Sequence, residues 1–402
     1  MNVPPRKIKV LHVITRLIVG GAQENTLLTA IGQHRDPRYD VTLLAGFDGG
    51  PEGDLHDEAR AAGVRLVLLP SLVRPIRPWT DFAALVALVR FMRAERFDIV
   101  HTHSSKAGIL GRLAARIAGV SVVVHTLHSL VFHEYESAWK NRLYILLKRL
   151  VAPITDVLIS VSAKTTEGAI AVGIGRRSQH VTVFSGMEIA PFANIAAQLS
   201  VEEAKRRAGI PADAPVVGKV ARLFPLKGHR QFFDVARRVA VAQPLAHFLL
   251  VGDGVLRGEL EALARELGIA DRTVFAGLVA SSDVPALMQA MDVVVHSSLR
   301  EGIARVLPQA GAVGKPVVTF DLDGAPEVIH NGVSGYLVPP LDTALMAERV
   351  VELLRDPDKR RRFGAEGRSF ALEHFGADRM VERIDEIYTM LLARKRLSPP
   401  RA

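Results

Sequence analysis

The chain has 402 residues, of which 49% are apolar and 23% charged, with no cysteine and a net charge of +9. That length is too great for one ordinary α/β core and suits two, and the apolar share excludes a disordered chain. The missing cysteines exclude disulfides, thiolate zinc sites and a cysteine nucleophile, and the scarcity of aromatics (6%) with no nucleic-acid motif argues against nucleic acid.

The first elements alternate strand and helix. Lys9 to Ile14 reads as a buried strand, Gly20-Gly21 as a loop and Ala22 to Gly32 as a helix behind it. Val41 to Ala45 is a strand, Leu55 to Ala62 a helix and Val64 to Leu69 a strand. A helix with Thr80 or Asp81 as N-cap then carries Phe82, Leu85, Val86, Val89 and Met92 on its apolar stripe. Asp98 to His101 is a strand entering a polar loop, His101 to Lys106. Val122 to Thr126, Val157 to Val161 and Val181 to Phe184 complete this sheet.

Two stretches in this half bear on membranes. The run Val10 to Ile14 is far too short for a signal sequence, and no stretch of about 18 uncharged apolar residues occurs, Leu143 to Val161 being broken by Lys148, Arg149 and Asp156. Lys140, Arg142, Lys148 and Arg149 interleave with Tyr144, Leu146 and Leu147. That is either a helix for an anionic membrane surface or the solvated face of a core helix. Residues 1–190 hold 23 Lys+Arg against 16 Asp+Glu, so most of the net positive charge lies here. The expected location is cytoplasmic, with peripheral contact to the inner face of the membrane as an option.

Ser185 to Leu199 reads as a linker into a second series. Val216 to Val220, His247 to Val251, Val274-Phe275, Val293 to His296, Pro316 to Phe320 and Gly335 to Val338 are strands. Gln231 to Val241, Leu256 to Leu267, Val284 to Met291 and about Ile303 to Val313 are the helices between them. Ala344 to Leu354, Lys359 to His374 and Asp378 to Ala393 end the chain. Strands alternating with helices at this spacing predict two doubly wound parallel sheets, with ligands at their strand C-termini. The expected domains are 1–187, 188–378, and a helix over 379–402 that packs back on the first domain and ends in a tail.

Three constellations carry chemistry. Arg222 and Lys227, in V-A-R-L-F-P-L-K-G-H, follow a buried strand and are either cations for a diphosphate or solvated loop charges. In S-S-L-R-E-G-I-A-R-V-L-P-Q, Glu301 and Gly302 precede a helix whose N-terminus suits phosphate. Gln309, two turns on, shares a face with the helix start or is an ordinary polar residue. Asp323 to Glu327 is a turn that borders the same region. The third set is His101, His103, His125, His128 and His133. Their spacing supports no zinc site, and no motif places an acidic ligand. His101, His103 and Lys106 either line the acceptor side or are plain loop residues.

Together these pieces resemble the retaining GT-B glycosyltransferases of family 4. The resemblance rests on the Gly-Gly loop, the R-x4-K, the E-x7-E region and the G-K-P-V-V that follows, and it spans almost the whole chain. It implies two Rossmann-like domains facing a central cleft, a nucleotide-diphosphate sugar donor and no metal or other cofactor. By position Arg222 and Lys227 would hold the diphosphate, Glu301 the sugar, and the amides of Gly302, Ile303 and Ala304 the phosphates. Gly21 would bring backbone close to donor or acceptor, and His128, in V-H-T-L-H-S, would contact the sugar at the reacting carbon. Three positions depart from the pattern, one of them Ser129, where a glycine usually follows the histidine. The second glutamate is Gln309, which loses a charge-assisted bond to ribose, worth about 1.5–3 kcal/mol against about 0.5–1.5 for a neutral one. The usual glycine is Ala304, which narrows the space at the diphosphate.

The expectation is a retaining transferase that moves a sugar to an acceptor hydroxyl of a glycan or lipid-linked substrate in cell-surface polysaccharide or glycolipid synthesis. A nucleotide-sugar epimerase and a non-catalytic nucleotide-binding relative are the alternatives. A dehydrogenase is disfavoured because neither first strand leads into a full G-x-G-x-x-G.

Overall fold

The structure, a computed structural model, describes residues 6–47 and 53–397. The chain divides into two compact units, one formed by Met1–Met187 with Ala377–Ala402 and the other by Glu188–Gly376. The tail expected after the last helix lies, from residue 398 on, outside the described residues.

In the first unit the strands are β1 (Ile8–Ile14), β2 (Tyr39–Gly46), β3 (Arg65–Leu69), β4 (Ile99–His103), β5 (Val122–Leu127), β6 (Val157–Ser160) and β7 (His180–Thr182). They form one parallel sheet in the order β3-β2-β1-β4-β5-β6-β7. The second unit holds β8 (Val216–Val220), β9 (His247–Val251), β10 (Thr273–Gly277), β11 (Val293–His296), β12 (Val317–Phe320) and β13 (Gly335–Val338). Their order is β10-β9-β8-β11-β12-β13, again all parallel. Most of these strands are short Val/Leu/Ile runs, and β5, β11 and β12 are buried along their whole length. That pattern belongs to parallel sheets covered by helices on both faces. Each order reverses once, between β1 and β4 and between β8 and β11, and loops leaving the strand ends part there to leave room for a ligand.

The helix Ser105–Ala118 fills most of the stretch between β4 and β5, beginning inside the loop expected at His101 to Lys106. His101 and His103 belong to β4, and Ser104 at φ 59 turns the chain into the helix. Gly119 at φ 79 ends it in the left-handed conformation that glycine adopts freely. Further helices at Ala163–Ala171 and Val201–Arg207 start at Ser162 and Ser200, whose hydroxyls accept from the amides of Thr165 and Glu203. The helix expected to start at Thr80 or Asp81 starts at Pro78, whose fixed φ suits a first helical position. Its buried seam is Ala84, Leu88 and Met92, spaced four apart, while Phe82 is exposed.

The last helix, Ala377–Leu397, joins the first unit. Met380, Ile384, Ile387, Tyr388 and Leu391 lie on one face and share a core with Val10, Ile14 and Leu27. The helix Ala138–Val151 is turned against the usual polarity. Trp139, Leu143, Leu146 and Leu150 are exposed along one stripe, with Arg142 and Arg149 exposed beside them, while Lys148 is buried. The ammonium of Lys148 makes no hydrogen bond or ion pair among the described residues. Burial, and then the charge of Arg112, lower its pKa from 10.5 to about 7.

Because that pKa is depressed in the folded state, the unfolded chain binds the extra proton between about pH 7 and 10.5, and stability rises with pH across that window. Lys148→Met is expected to raise the melting temperature at about pH 6, with a gain that shrinks towards pH 10. Thermal denaturation at both pH values checks it, and a lowered melting temperature at both contradicts the cost assigned to the buried ammonium.

Candidate active site

The candidate site of the second unit is made where β8 and β11 release their loops side by side. After β8 the chain runs through Arg222 and Leu226, which takes φ 65, to Gly228 at φ 65, the N-cap of the helix His229–Ala242. A Cβ on Gly228 would stand 1.7 Å from the carbonyl oxygen of Ser297, just past β11. Only glycine allows that approach. Hydrogen bonds then join the two loops: Leu299 N–H donates to the Leu226 carbonyl at 2.8 Å, and the Ser297 hydroxyl donates to the Gly228 carbonyl at 2.7 Å. Lys219, buried on β8, donates to the Ser297 hydroxyl at 2.9 Å. Burial, then the neighbouring Lys227 charge, lower its pKa to about 7.

This join sets Lys227 against Glu301, with Nζ 2.5 Å from Oε1 and both side chains about a quarter exposed. A third loop, after β12, holds Glu301 from behind. Asp323, at φ 51, accepts from the Glu301 amide at 2.6 Å and from the Arg300 guanidinium at 2.6 Å, and Gly324 N–H donates to the Gly302 carbonyl. Arg222 is exposed two residues past β8 with its guanidinium over the Phe224 ring at 5.2 Å.

The helix expected from about Ile303 begins at Val306, so Gly302, Ile303 and Ala304 form the loop that enters it. Their amide N–H groups donate to no protein acceptor among the described residues. Consecutive open amides ahead of a helix suit an anion. Since residues 301–305 are not helical, Gln309 lies three residues past the helix start at Val306 and not the two turns expected. Gln309 sits inside the helix Val306–Val313, partly exposed, and its side-chain amide makes no hydrogen bond among the described residues.

The first unit gathers a second array. His12 on β1 stands in register with His101 on β4, and His101 and His103, two residues apart, share a face. All three are fully buried. His12 Nδ1 lies 3.1 Å from His103 Nε2, and His12 Nε2 lies 2.8 Å from Gln33 Oε1. His101 is held by the Tyr388 hydroxyl at 2.6 Å and the Thr126 hydroxyl at 2.7 Å. His103 Nδ1 reaches His128 Nε2 at 3.2 Å. His125 bonds the Thr102 hydroxyl and packs on Gly108, and His133 lies apart, its amide bonded to Asn141. Burial lowers the pKa of His12 and of His128 to about 4 and of His101, His103 and His125 well below the usual range, so the set is neutral at pH 7. One nitrogen from each of His12, His101 and His103 lies within 4.8 Å of the others, close enough for one ion. Every ring nitrogen of the three already has a protein partner, however.

The acceptor-side residues are therefore corrected. His101 and His103 are enclosed and cannot touch an acceptor directly, because β4 and its neighbours cover them. Lys106 donates to Asp81 at 2.5 Å and to the Pro75 carbonyl, and so anchors the segment before the helix Pro78–Glu95. Gly21 is the exposed first residue of the helix Gly21–Arg35. Sequence reasoning passed over Lys219, Ser297, His12, Gln33 and Tyr388. The available signal was a lysine and a histidine in the middle of otherwise apolar strands.

Doubly wound units that bring a cation, a carboxylate and open amides to one strand switch have an arrangement suited to an anionic ligand. Residues 200–370 match the family "Glycosyl transferases group 1" and residues 20–185 the "Glycosyl transferase 4-like domain". The 2-deoxystreptamine N-acetyl-D-glucosaminyltransferase of Streptomyces fradiae is 31% identical over 88% of this chain and 87% of its own. The UDP-Gal:alpha-D-GlcNAc-diphosphoundecaprenol alpha-1,3-galactosyltransferase of Escherichia coli is 27% identical over 97% and 98%. Among solved structures, Anabaena HepE in complex with UDP shares the fold at a TM-score of 0.78 and 24% identity, covering 96% of this chain and all of its own. Sucrose-phosphate synthase of Thermosynechococcus elongatus does so at 0.82 and 21%, over 97% and 100%. The chain belongs to the group 1 glycosyltransferases. It is a glycosyltransferase built from two Rossmann-like units of the GT-B class.

Gly228→Ala is expected to destabilise the protein by about 2–4 kcal/mol, from a positive φ and a backbone clash together. Urea unfolding measures it, and an unchanged midpoint contradicts the close approach of the two loops.

Proposed function

We propose that this glycosyltransferase moves a sugar from a uridine-diphosphate sugar to a hydroxyl of a lipid-linked glycan, retaining the anomeric configuration and using no metal. The observation that carries the reading is the Lys227–Glu301 pair beside the open amides of residues 302–304. A diphosphate entering there gives Lys227 a better partner than Glu301 and releases Glu301 to accept hydrogen bonds from sugar hydroxyls. The amides and Arg222 face the remaining phosphate charge, and Gln309 offers a neutral amide to the ribose. The relatives support the donor: the Escherichia coli enzyme's name specifies UDP-Gal, and HepE holds UDP.

The bond from the anomeric carbon to the phosphate oxygen breaks as the bond to the acceptor oxygen forms on the same face. The acceptor's proton passes to a diphosphate oxygen, and the nucleoside diphosphate leaves. Charge builds on the leaving group, where Lys227, Arg222 and the amides are fixed, so they act most strongly in the transition state. No carboxylate base is required. His128, by its resemblance to the family histidine, orients the sugar.

The acceptor and location rest on the outward stripe of the helix Ala138–Val151. Exposed Trp139, Leu143, Leu146 and Leu150, flanked by Arg142 and Arg149, suit an anionic membrane surface. No helix among the described residues is long and apolar enough to cross a membrane. The Escherichia coli relative's name specifies a diphosphoundecaprenol acceptor.

Lys227→Ala and Glu301→Gln are each expected to lower turnover by about 100-fold or more while the melting temperature holds. Near-normal turnover in both contradicts the site, and a product of inverted anomeric configuration, read by NMR, contradicts retention. Leu146→Glu is expected to abolish sedimentation with anionic vesicles yet leave transfer to a detergent-solubilised acceptor intact. Undiminished vesicle binding would count against the membrane surface.

A further inference from the structure

We propose that Gln33, His12 and His103 are positioning residues that set the tautomer and ring plane of His128, through one continuous chain of hydrogen bonds from the interior of the first unit to its surface.

A neutral imidazole has one N–H and one lone pair, so each link in such a chain dictates the next. Gln33 turns its carbonyl oxygen to His12, at 2.8 Å from Nε2. An amide oxygen only accepts, so His12 carries its proton on Nε2 and a lone pair on Nδ1. That lone pair takes the proton of His103 Nε2, 3.1 Å away. His103 Nδ1 is then bare and accepts from His128 Nε2 at 3.2 Å. His128 is left with its proton pointing inward and a lone pair on Nδ1, a nitrogen with no partner among the described residues.

Three further observations make the chain directional. The Gln33 side chain also interacts with the Tyr388 hydroxyl, and the orientation of this one amide sets the polarity of every link. His12 and His103 are wholly buried, which keeps water from exchanging their protons, and burial also holds them and His128 uncharged at neutral pH. The rings are held in near-parallel planes: His12 and His103 at 5.4 Å and 25°, His101 and His103 at 4.3 Å and 29°, His103 and His128 at 5.5 Å and 28°. His101, clamped by Tyr388 and Thr126, is the wall that fixes the His103 plane. Valine or leucine would fill these strand positions without the cost of burying polar rings. The arrangement instead delivers a defined lone pair to the partly exposed end, able to accept from a sugar hydroxyl and unable to donate. The inference rests on the proposed place of His128 at the donor sugar.

The test is long-range proton–nitrogen NMR on 15N-histidine-labelled protein at about pH 7, combined with kinetics. The wild-type protein is expected to show His12, His103 and His128 protonated at Nε2. Gln33→Met is expected to turn the His128 signals into a mixture of tautomers and to lower kcat by about tenfold, with donor KM within about twofold. Thr102→Val, which removes a buried hydroxyl bonded to His125 and not to any member of the chain, is expected to leave both unchanged. His128 protonated at Nδ1 in the wild-type protein overturns the proposal, and this spectrum decides even if Gln33→Met does not fold. Unaltered His128 signals and kcat in folded Gln33→Met overturn it as well. Full kcat in His128→Ala would remove the donor-sugar role and with it the functional claim, while the wild-type tautomers would still report on the chain itself, so the two failures read apart.

Discussion

At Gly228 the carbonyl of Ser297 comes so close that no side chain fits between the loops leaving β8 and β11. The charge pair of the candidate site follows from that contact. Once the loops are joined through Ser297, Leu226 and Leu299, Lys227 and Glu301 have little choice but to meet. Asp323 completes the arrangement by taking the Glu301 amide and the Arg300 guanidinium together. A partly exposed ion pair of this kind adds little to stability. Its value lies in being ready to exchange one partner for a diphosphate.

Both units bury groups that a purely structural core would replace. Lys219 on β8 lies in the second unit's sheet, where its ammonium bonds a serine hydroxyl over the Phe232 ring. His12, His101 and His103 sit in the first unit's sheet with every ring nitrogen bonded. Burial removes the charge of the histidines and weakens the hold of Lys219 on its proton. In each case the polar residue belongs to a strand beside the topological switch, where the sheet can aim it at the loops above.

The sheets and the candidate residues Lys227 and Glu301 were legible because they depend on local patterns. Apolar runs of two to six residues marked the strands, and R-x4-K with E-x7-Q marked Lys227 and Glu301 by order and spacing. The start of the helix at Val306 was not legible. Its N-terminal boundary is set by the turn at Asp323 and by the contact of Gly324 with Gly302, both distant in sequence. The helix Ser105–Ala118 was hidden by His101 and His103, which look like loop residues until β1 and β5 are known to flank them. The outward face of Ala138–Val151 was ambiguous for a related reason: periodicity locates an apolar stripe but not the side on which the core lies.

If a diphosphate takes Lys227 from Glu301, the two residues must affect nucleotide binding in opposite ways, and calorimetric titration of UDP into the two variants tests this directly. Lys227→Met should weaken UDP binding by about tenfold or more, the worth of one charge-assisted bond. Glu301→Gln, which removes the competing carboxylate, should leave UDP binding unchanged or tighter. Equal weakening by both substitutions would contradict the exchange and place Glu301 on the nucleotide instead of the sugar.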